Sequence, residues 1–407
     1  MAETGGYRAL FADRRFSFFL GQLAVGDAGY AVYSIAILWL ALEVSGSAFV
    51  AALVLALEFG IYALSFLAGP YVDRSHNPRN ILLAGYPLQA LCAFAIGFLA
   101  ANDALSVPLL LGLVVAISFL WDFTYTASLA ILPRIVPPDR LFLANGLTSA
   151  VSGGNQIAGY AIGAGLLLLV GTAGAMYLYA ALNLVAAAIA VVLTVPPALQ
   201  VAGRVRDEFV AGWRYLFAPE RRPLLELAGF SAIEAFFSTA FVLIILQLAN
   251  TEFADPSLSY GLLFTAFALG GVAGSLALGR LNPRRRLAAI LIGATLAEGV
   301  GLVGATALAP ALAPSLVAWF LVGGVEILFF TTQVVYIQAT TPRELTGRTL
   351  ANVYVFRGSS RAVGAVVVGA FLGIVPTLAL ATGIGLVLLL VAGVGTLAFP
   401  KVRRLAF

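Results

Sequence analysis

Six acidic residues lie inside long apolar stretches of this 407-residue chain, and their types and positions could support chemistry. They are Asp27, Glu58, Asp122, Glu234, Glu298 and Glu326. A charged side chain at the centre of a membrane-spanning helix costs about 2.5–3.5 kcal/mol, so such residues are usually functional. Burial favours the neutral form of a carboxyl group, which allows it to take up and release a proton. We interpret these acids as candidates for ion coupling or substrate binding.

The composition places these acids in a membrane. Hydrophobic residues make up 61% of the chain and charged residues only 10%, whereas soluble domains carry about 25% charged residues. A soluble globular enzyme is therefore excluded. Lys401 is the only lysine, which excludes a Walker A motif. His76 and Cys92 are the only histidine and cysteine, which excludes Cys/His metal clusters. We expect no enzymatic activity, no metal and no cofactor.

Twelve apolar runs predict an all-α integral membrane protein, because a spanning helix takes about 20 apolar residues. The runs fall at roughly 16–42, 48–69, 80–101, 107–131, 142–170, 174–196, 223–249, 259–279, 287–308, 315–340, 349–374 and 377–399. Between the sixth and seventh runs, Val205, Phe209, Trp213 and Leu216 recur at helical spacing. This spacing predicts an interfacial helix that lies along the inner leaflet.

The basic residues predict which side of the membrane each loop occupies. With both termini in the cytoplasm, the inner loops contain Arg74, Arg79, Arg134, Arg140, Arg280, Arg284, Arg285, Arg286, Arg343 and Arg348. The outer loops contain Glu43, Asp103, Glu252 and Asp255 but no lysine or arginine. Since positive charges concentrate in cytoplasmic loops, we predict an N-in, C-in topology in the inner membrane of a prokaryote.

An internal repeat divides the chain into two parts. Pro138–Leu141 matches Pro342–Leu345 at an offset of 204 residues, and the offset grows to 207 further along. The repeat predicts two pseudo-symmetric halves of six helices in the same orientation. We place the N-terminal half at 1–200, a cytoplasmic linker at 201–222 and the C-terminal half at 223–407.

The same offsets relate four of the buried acids. Asp122 in the fourth run corresponds to Glu326 in the tenth, and Asp27 in the first run corresponds to Glu234 in the seventh. Asp27 lies 11 residues into its run, about 16 Å from the inner end and near the membrane midplane. These four acids are the predicted proton-coupling residues. The alternative is that each stays neutral and hydrogen-bonds to a neighbouring helix.

A second set of side chains is predicted to line a substrate cavity. Tyr354, Arg357 and Arg361 share one face of the eleventh run, so the arginines either pair with Glu326 or Glu234 or contact substrate. The further candidates for the cavity are Tyr30, Glu58, Tyr125, Asn155, Gln156 and Gln333. Glu298 has no predicted role in the mechanism.

Several motifs resemble those of a known family. Gly69-Pro70-Tyr71-Val72-Asp73-Arg74, followed by Arg79, resembles the signature of the loop between helices 2 and 3 in the major facilitator superfamily. Further stretches resemble its drug:proton antiporter branch of macrolide-efflux and enterobactin-exporter type. They are Leu20–Gln22 with Gly26-Asp27, Ser45–Ala48, Leu132–Asn145 and Glu208–Leu224. The resemblance implies a cavity lined by helices 1, 4, 7 and 10 and a gate formed by Gly69, Asp73, Arg74 and Arg79.

These features together predict a secondary transporter. The leading hypothesis is proton-coupled efflux, by alternating access, of an amphipathic cationic or zwitterionic compound. One alternative is export of an anionic siderophore or lipid-like amphiphile bound by Arg357 and Arg361, and another is an uptake symporter. A channel-like pore or a transceptor stays open as a different class. The expected partners are a small-molecule substrate, protons and the lipid bilayer, with no nucleic acid, and the chain is expected to be a monomer.

Overall fold

The structure is a computed structural model that describes residues 10–64, 71–72, 75–137, 139–196, 213–281, 283–309 and 311–398. It is all-helical, and no strand occurs in these ranges. Three of the predicted gate residues, Gly69, Asp73 and Arg74, lie outside the described residues. The side chain of Gln156 also lies outside the described part of the structure.

Eleven α-helical elements follow one another along the described chain. They are α1 (Arg14–Ser45), α2 (Ala48–Ala63), α3 (Arg79–Ala101), α4 (Val107–Ile135), α5 (Leu141–Val192), α6 (Arg222–Glu252), α7 (Pro256–Leu281), α8 (Pro283–Leu308), α9 (Leu312–Thr340), α10 (Arg343–Leu372) and α11 (Thr377–Ala398). Among the described residues, ten helical segments are long and apolar enough to cross a membrane, and α2 is a shorter apolar helix. The chain is therefore a multi-pass membrane protein.

The long element α5 consists of two helices joined at a break. Gly171 has a φ of 66° and a ψ of −178°, which is not helical. Glycine adopts a positive φ without the steric cost that a Cβ atom imposes. The break separates the apolar runs 142–170 and 174–196, which the sequence predicts as two helices.

The first compact unit contains residues 1–45 and 64–202. In its described part, α1 packs against α5, and α3 packs against both α4 and α5. Its core includes the buried side chains of Phe16, Phe19, Leu82, Ile131 and Leu132. These contacts hold the polar side chains of α1, α4 and α5 near one another.

The second compact unit contains residues 46–63 and 203–407. Here α2 and α6 pack against α10, α7 packs against α9, and α8 packs against α9 and α11. The helix α2 belongs to this unit because its main contacts are with α10. The predicted halves at 1–200 and 223–407 are each continuous in sequence, unlike the compact units. The division into these halves stays a prediction.

The predicted linker at 201–222 is described only from Trp213 onward. A helical turn begins there, and Trp213 stacks on Phe217 with ring centroids 5.5 Å apart. Leu216 is fully buried against the core of the second unit. The earlier part of the predicted interfacial helix lies outside the described residues.

Glycines bring α7 and α9 into backbone contact. A Cβ atom at Gly323 would overlap the carbonyl oxygen of Phe267, and one at Gly270 would overlap that of Phe320. Small residues allow membrane helices to approach closely when lipid supplies no hydrophobic driving force. The α7–α9 contact therefore depends on the absence of side chains at these positions.

Replacing Gly323 with alanine should destabilise the second unit. The added methyl group has to push the two backbones apart, and overpacking typically costs about 1–3 kcal/mol. We expect a lower melting temperature for Gly323→Ala in detergent, measured by fluorescence-detected size-exclusion chromatography after heating. Gly293→Ala is the matched control, because a Cβ atom at Gly293 meets nothing within 4 Å. Equal melting temperatures for the two variants would contradict this account of the contact.

Candidate functional site

Asp27 is held by uncharged groups within the first unit. The Ser152 hydroxyl on α5 donates a hydrogen bond to Oδ2 of Asp27 on α1. One helical turn further, Nδ2 of Asn155 donates to the carbonyl oxygen of Ala24 over 2.8 Å. In the described part of the chain, no cationic side chain bonds to Asp27. The negative charge of Asp27 therefore has no fixed positive partner there.

Aromatic rings surround the cleft into which Asp27 opens. Asp27, Tyr86, Trp121 and Tyr125 line one cleft. Tyr30 stacks on Trp121 with ring centroids 4.5 Å apart, and Trp121 stacks on Tyr125 at 5.1 Å. The faces of aromatic rings carry partial negative charge and attract organic cations. An acid beside such rings is a suitable site for an amphipathic cation.

A network of neutral hydrogen bonds extends from the same cleft. Nε2 of Gln22 donates to the Tyr86 hydroxyl over 2.6 Å. The Tyr179 hydroxyl donates to Oε1 of Gln89 over 2.8 Å, and Nε2 of Gln89 donates to Oγ1 of Thr124 over 3.2 Å. None of these residues was predicted to belong to the site. Gln22 and Gln89 could have indicated this network from the sequence. Both lie inside apolar runs, where a polar side chain needs a buried hydrogen-bond partner.

Asp122 lies beside this cleft but does not line it. Its side chain is only 5% exposed, whereas its neighbour Trp121 lines the cleft. Within the described ranges, the buried hydroxyl of Ser118, one turn earlier on α4, has no hydrogen-bond partner. The structure therefore places Asp122 and Asp27 in different surroundings, although the repeat pairs each with an acid of the second half.

In the second unit, the acid equivalent to Asp27 forms an ion pair. Nη1 of Arg357 on α10 lies 2.7 Å from Oε2 of Glu234 on α6. The same nitrogen donates to the carbonyl oxygen of Ser231 over 3.1 Å and to Oε1 of Gln333 over 3.4 Å. Glu234 is fully buried and Arg357 is 5% exposed. This pair joins α6, α9 and α10 at one point.

A second ion pair lies one turn further along α10. Nη2 of Arg361 lies 2.8 Å from Oε1 of Glu326 on α9. The guanidinium group of Arg361 also lies 5.2 Å from the ring centroid of Phe59 on α2. Tyr354 packs near Tyr62 of α2, with centroids 6.4 Å apart. The predicted arginine face thus contacts both acids that the sequence named as its possible partners.

The two units share one pattern in these contacts. In the first unit, Ser152 on the helix of the fifth run bonds to the acid, and Asn155 bonds to the carbonyl three residues before it. In the second unit, Arg357 on the helix of the eleventh run makes both bonds. Ala24 and Ser231 are those carbonyls, and they are separated by the same 207 residues as Asp27 and Glu234. The difference is charge, because the first unit supplies neutral donors and the second an arginine. Of the two equivalent acids, only Asp27 lacks a compensating cation in the described residues.

Two further predicted residues are Glu58 and Arg79. Glu58 is half-buried on α2. Arg79 donates to the carbonyl oxygens of Ala190, over 2.9 Å, and Val191, where α5 ends. A cation at a helix C-terminus interacts favourably with the unpaired carbonyls. Its predicted role in the gate stays a prediction. Among the described residues, no group of His, Cys, Asp or Glu side chains could hold a metal ion.

Apolar spanning helices with buried charges and a polar cleft define a membrane transporter. A family model described as Major Facilitator Superfamily matches residues 18–365, and the chain belongs to this superfamily. It is also 26% identical over 358 residues to the enterobactin exporter EntS of Shigella boydii, covering 83% of this chain and 80% of that protein. The corresponding exporter of Escherichia coli matches to the same extent.

Solved structures share the fold at low sequence identity. An auto-inhibited POT family peptide transporter matches with a TM-score of 0.76 at 12% identity, covering 96% of this chain and 97% of that one. A mutant form of the nucleoside transporter NupG matches with a TM-score of 0.68 at 12% identity, covering 95% and 99%. These similarities show that this chain shares its fold with both proteins.

Removing Arg357 should destabilise the second unit strongly. Arg357→Gln leaves Glu234 fully buried without its cation, and breaking a buried pair costs about 3–5 kcal/mol. We expect a large loss of thermal stability in detergent, partly regained when Glu234→Gln is added. Arg222→Gln is the control, because the side chain of Arg222 is 69% exposed and lies 3.6 Å from Glu226. An equally small effect of both arginine substitutions would contradict a structural role for the buried pair.

Proposed function

We propose that the protein is a proton-coupled exporter of an amphipathic organic cation or zwitterion that works by alternating access. It would have twelve spanning helices with both termini in the cytoplasm. It would be a monomer in the inner membrane of a bacterium. One observation carries the proposal. Asp27 lines an aromatic cleft and is bonded only to neutral groups in the described structure.

The lining of the cleft favours a cationic substrate. Tyr30, Trp121 and Tyr125 form a continuous stack beside a carboxyl group. Binding an organic cation over such rings contributes about 0.5–2 kcal/mol, more when water is excluded. The neutral amides and hydroxyls of the adjoining network can form hydrogen bonds with polar groups of the same molecule. A flat, positively charged amphiphile therefore suits the site.

Competition between a proton and the substrate supports antiport. A carboxylate buried in low dielectric needs a positive partner or a proton. Because no arginine is bonded to Asp27 among the described residues, the substrate cation and the proton can replace each other there. A proton from the outside would release the cation outward, and loss of that proton inward would prepare the site again. The predicted gate of Gly69, Asp73, Arg74 and Arg79 would separate the two steps.

The arginines of the second unit favour the same charge type. Arg357 and Arg361 are each bonded to a glutamate. An anionic substrate would have to displace a carboxylate from one of them. The similarity to enterobactin exporters is the observation that keeps an anionic siderophore as the second candidate. In that case the substrate would be held by Arg361, the more exposed of the two arginines, whose side chain is 28% exposed.

The proposal is tested in inside-out vesicles with an acidic lumen and a pH-sensitive dye. Addition of ethidium or tetraphenylphosphonium should raise the lumenal pH in vesicles that contain the wild-type protein. Asp27→Asn should reduce this rate at least tenfold, because the amide cannot exchange a proton. Asp103→Asn is the matched control, since Asp103 is exposed in a loop at φ 51°, which asparagine tolerates.

Two results would contradict cation antiport. Full activity of Asp27→Asn would show that this carboxyl group does not couple the flux. A response to enterobactin but to neither cation, lost in Arg361→Gln, would replace the proposal with the anionic candidate. The vesicle orientation and protein amount are checked by immunoblotting for each variant.

Trp121 should determine affinity for aromatic cations. Trp121→Leu removes the ring in the middle of the stack with Tyr30 and Tyr125. We expect ethidium to bind about 5- to 30-fold more weakly to the purified protein, which corresponds to about 1–2 kcal/mol. Phe119→Leu is the control, because Phe119 lies on the same helix, is 55% exposed and does not line the cleft. Unchanged ethidium binding in Trp121→Leu would exclude the stack as the binding surface.

A further inference from the structure

Among the six acids inside apolar runs, Glu298 is the one for which the sequence predicts no function. It lies in the middle of α8 and is 0% exposed. Within the described residues, neither oxygen of its carboxyl group has a hydrogen-bond partner. Buried polar atoms in proteins are nearly always hydrogen-bonded, so each exception needs a physical reason. An ionised carboxylate in this position would be exceptionally costly.

The packing of α8 on α9 places Glu298 at the level of the Arg361 ion pair. A Cβ atom at Gly301 would lie 2.6 Å from Cγ2 of Val322, so these two residues are level with each other. The two helices are consecutive and joined by a short loop, so they run in opposite directions. Glu298 lies three residues before Gly301, and Glu326 lies four residues after Val322. These two acids are therefore at a similar depth.

Three acids thus share two arginines. Glu298 interacts electrostatically with Glu234 and Glu326, which repel its charge, and with Arg357 and Arg361, which attract it. Each arginine is already bonded to one of the other two glutamates. With all five groups ionised, the cluster would carry a net charge of −1 in the interior of the helix bundle. A proton on Glu298 removes that excess charge.

The helices around Glu298 supply no other compensating charge. On α11, which packs against α8, the sequence contains no titratable residue at all. The remaining titratable residues of α7, α9 and α10 include Tyr260, Tyr336 and Tyr354, whose phenols stay neutral near pH 7. The others are Arg280 in the last turn of α7 and Arg343, Glu344 and Arg348 in the first two turns of α10. The arginines Arg284–Arg286 begin α8, more than three turns from Glu298. The five-residue cluster is therefore the electrostatic environment of Glu298.

We propose that Glu298 is a proton-binding residue that is neutral while the Arg357–Glu234 and Arg361–Glu326 pairs are formed. On losing its proton, Glu298 becomes a third acceptor that competes for an arginine. Nε of Arg361 is buried and has no acceptor in the described structure, so it is the donor available for this exchange. Protonation of Glu298 then controls whether the ion pairs of α10 persist. A role in driving transport rests on the proton coupling proposed above, whereas proton binding itself does not.

Infrared spectroscopy of the purified protein tests proton binding without any substrate. A protonated carboxyl group gives a C=O stretching band that is separate from the carboxylate bands, and 13C-labelled glutamate shifts the band of glutamates only. We expect the labelled wild-type protein at pH 7 to show a protonated glutamate band. Glu298→Gln should lose one protonated carboxyl group per molecule. Glu252→Gln, at the outer end of α6, should lose carboxylate intensity and leave the protonated band unchanged.

The outcomes separate this proposal from the transport proposal. Raising the pH should convert the wild-type band to carboxylate while the same titration step is missing in Glu298→Gln. Absence of any protonated glutamate band in the wild-type protein at pH 7 would overturn the proposal, even if the variant failed to fold. A band that persists at every pH at which the protein stays folded would also overturn it. Because no substrate is present, failure of cation transport leaves this result intact.

Discussion

The structure depends on how charge is neutralised on acids that lie inside apolar helices. Each buried carboxylate must be paired with a cation, bonded to neutral donors or protonated, because an isolated charge in low dielectric is very costly. The chain uses all three solutions. Arginines of α10 hold Glu234 and Glu326, neutral donors of α5 hold Asp27, and Glu298 has no bonded partner among the described residues. The functional proposals follow from these differences.

The two units keep the same geometry and differ in chemistry. A helix of the fifth or eleventh run reaches across to an acid on the first or seventh, and it also bonds the carbonyl one turn earlier. With an arginine as donor, the contact is a fixed ion pair that joins three helices. With serine and asparagine as donors, the negative charge of the acid is not neutralised, and a mobile cation can pair with it. In the function proposed here, this contact is a structural ion pair in the second unit and a binding site in the first.

The superfamily, the helical fold and the arginine face of α10 could be predicted from the sequence, because they depend on composition, motifs and helical spacing. Arg357 and Arg361 lie one turn apart on a single face, and pairing with Glu326 or Glu234 was one of the two alternatives that the sequence left for them. The composition of the Asp27 site could not be predicted in this way. Ser152 and Trp121 reach it through the rotation of α4 and α5, which an apolar run does not specify. The same rotation directs Trp121 into the cleft while Asp122 does not line it.

Proton release on the binding of an organic cation shows whether the proton and the cation compete for Asp27. Tetraphenylphosphonium is added to the purified protein in a weakly buffered solution with a pH indicator. At a pH where Asp27 is protonated before binding, we predict about one proton released for each cation bound. Asp27→Asn should release none, whereas Asp103→Asn should behave as the wild-type protein does. Cation binding without proton release across the pH range, or equal release from Asp27→Asn, would contradict the account.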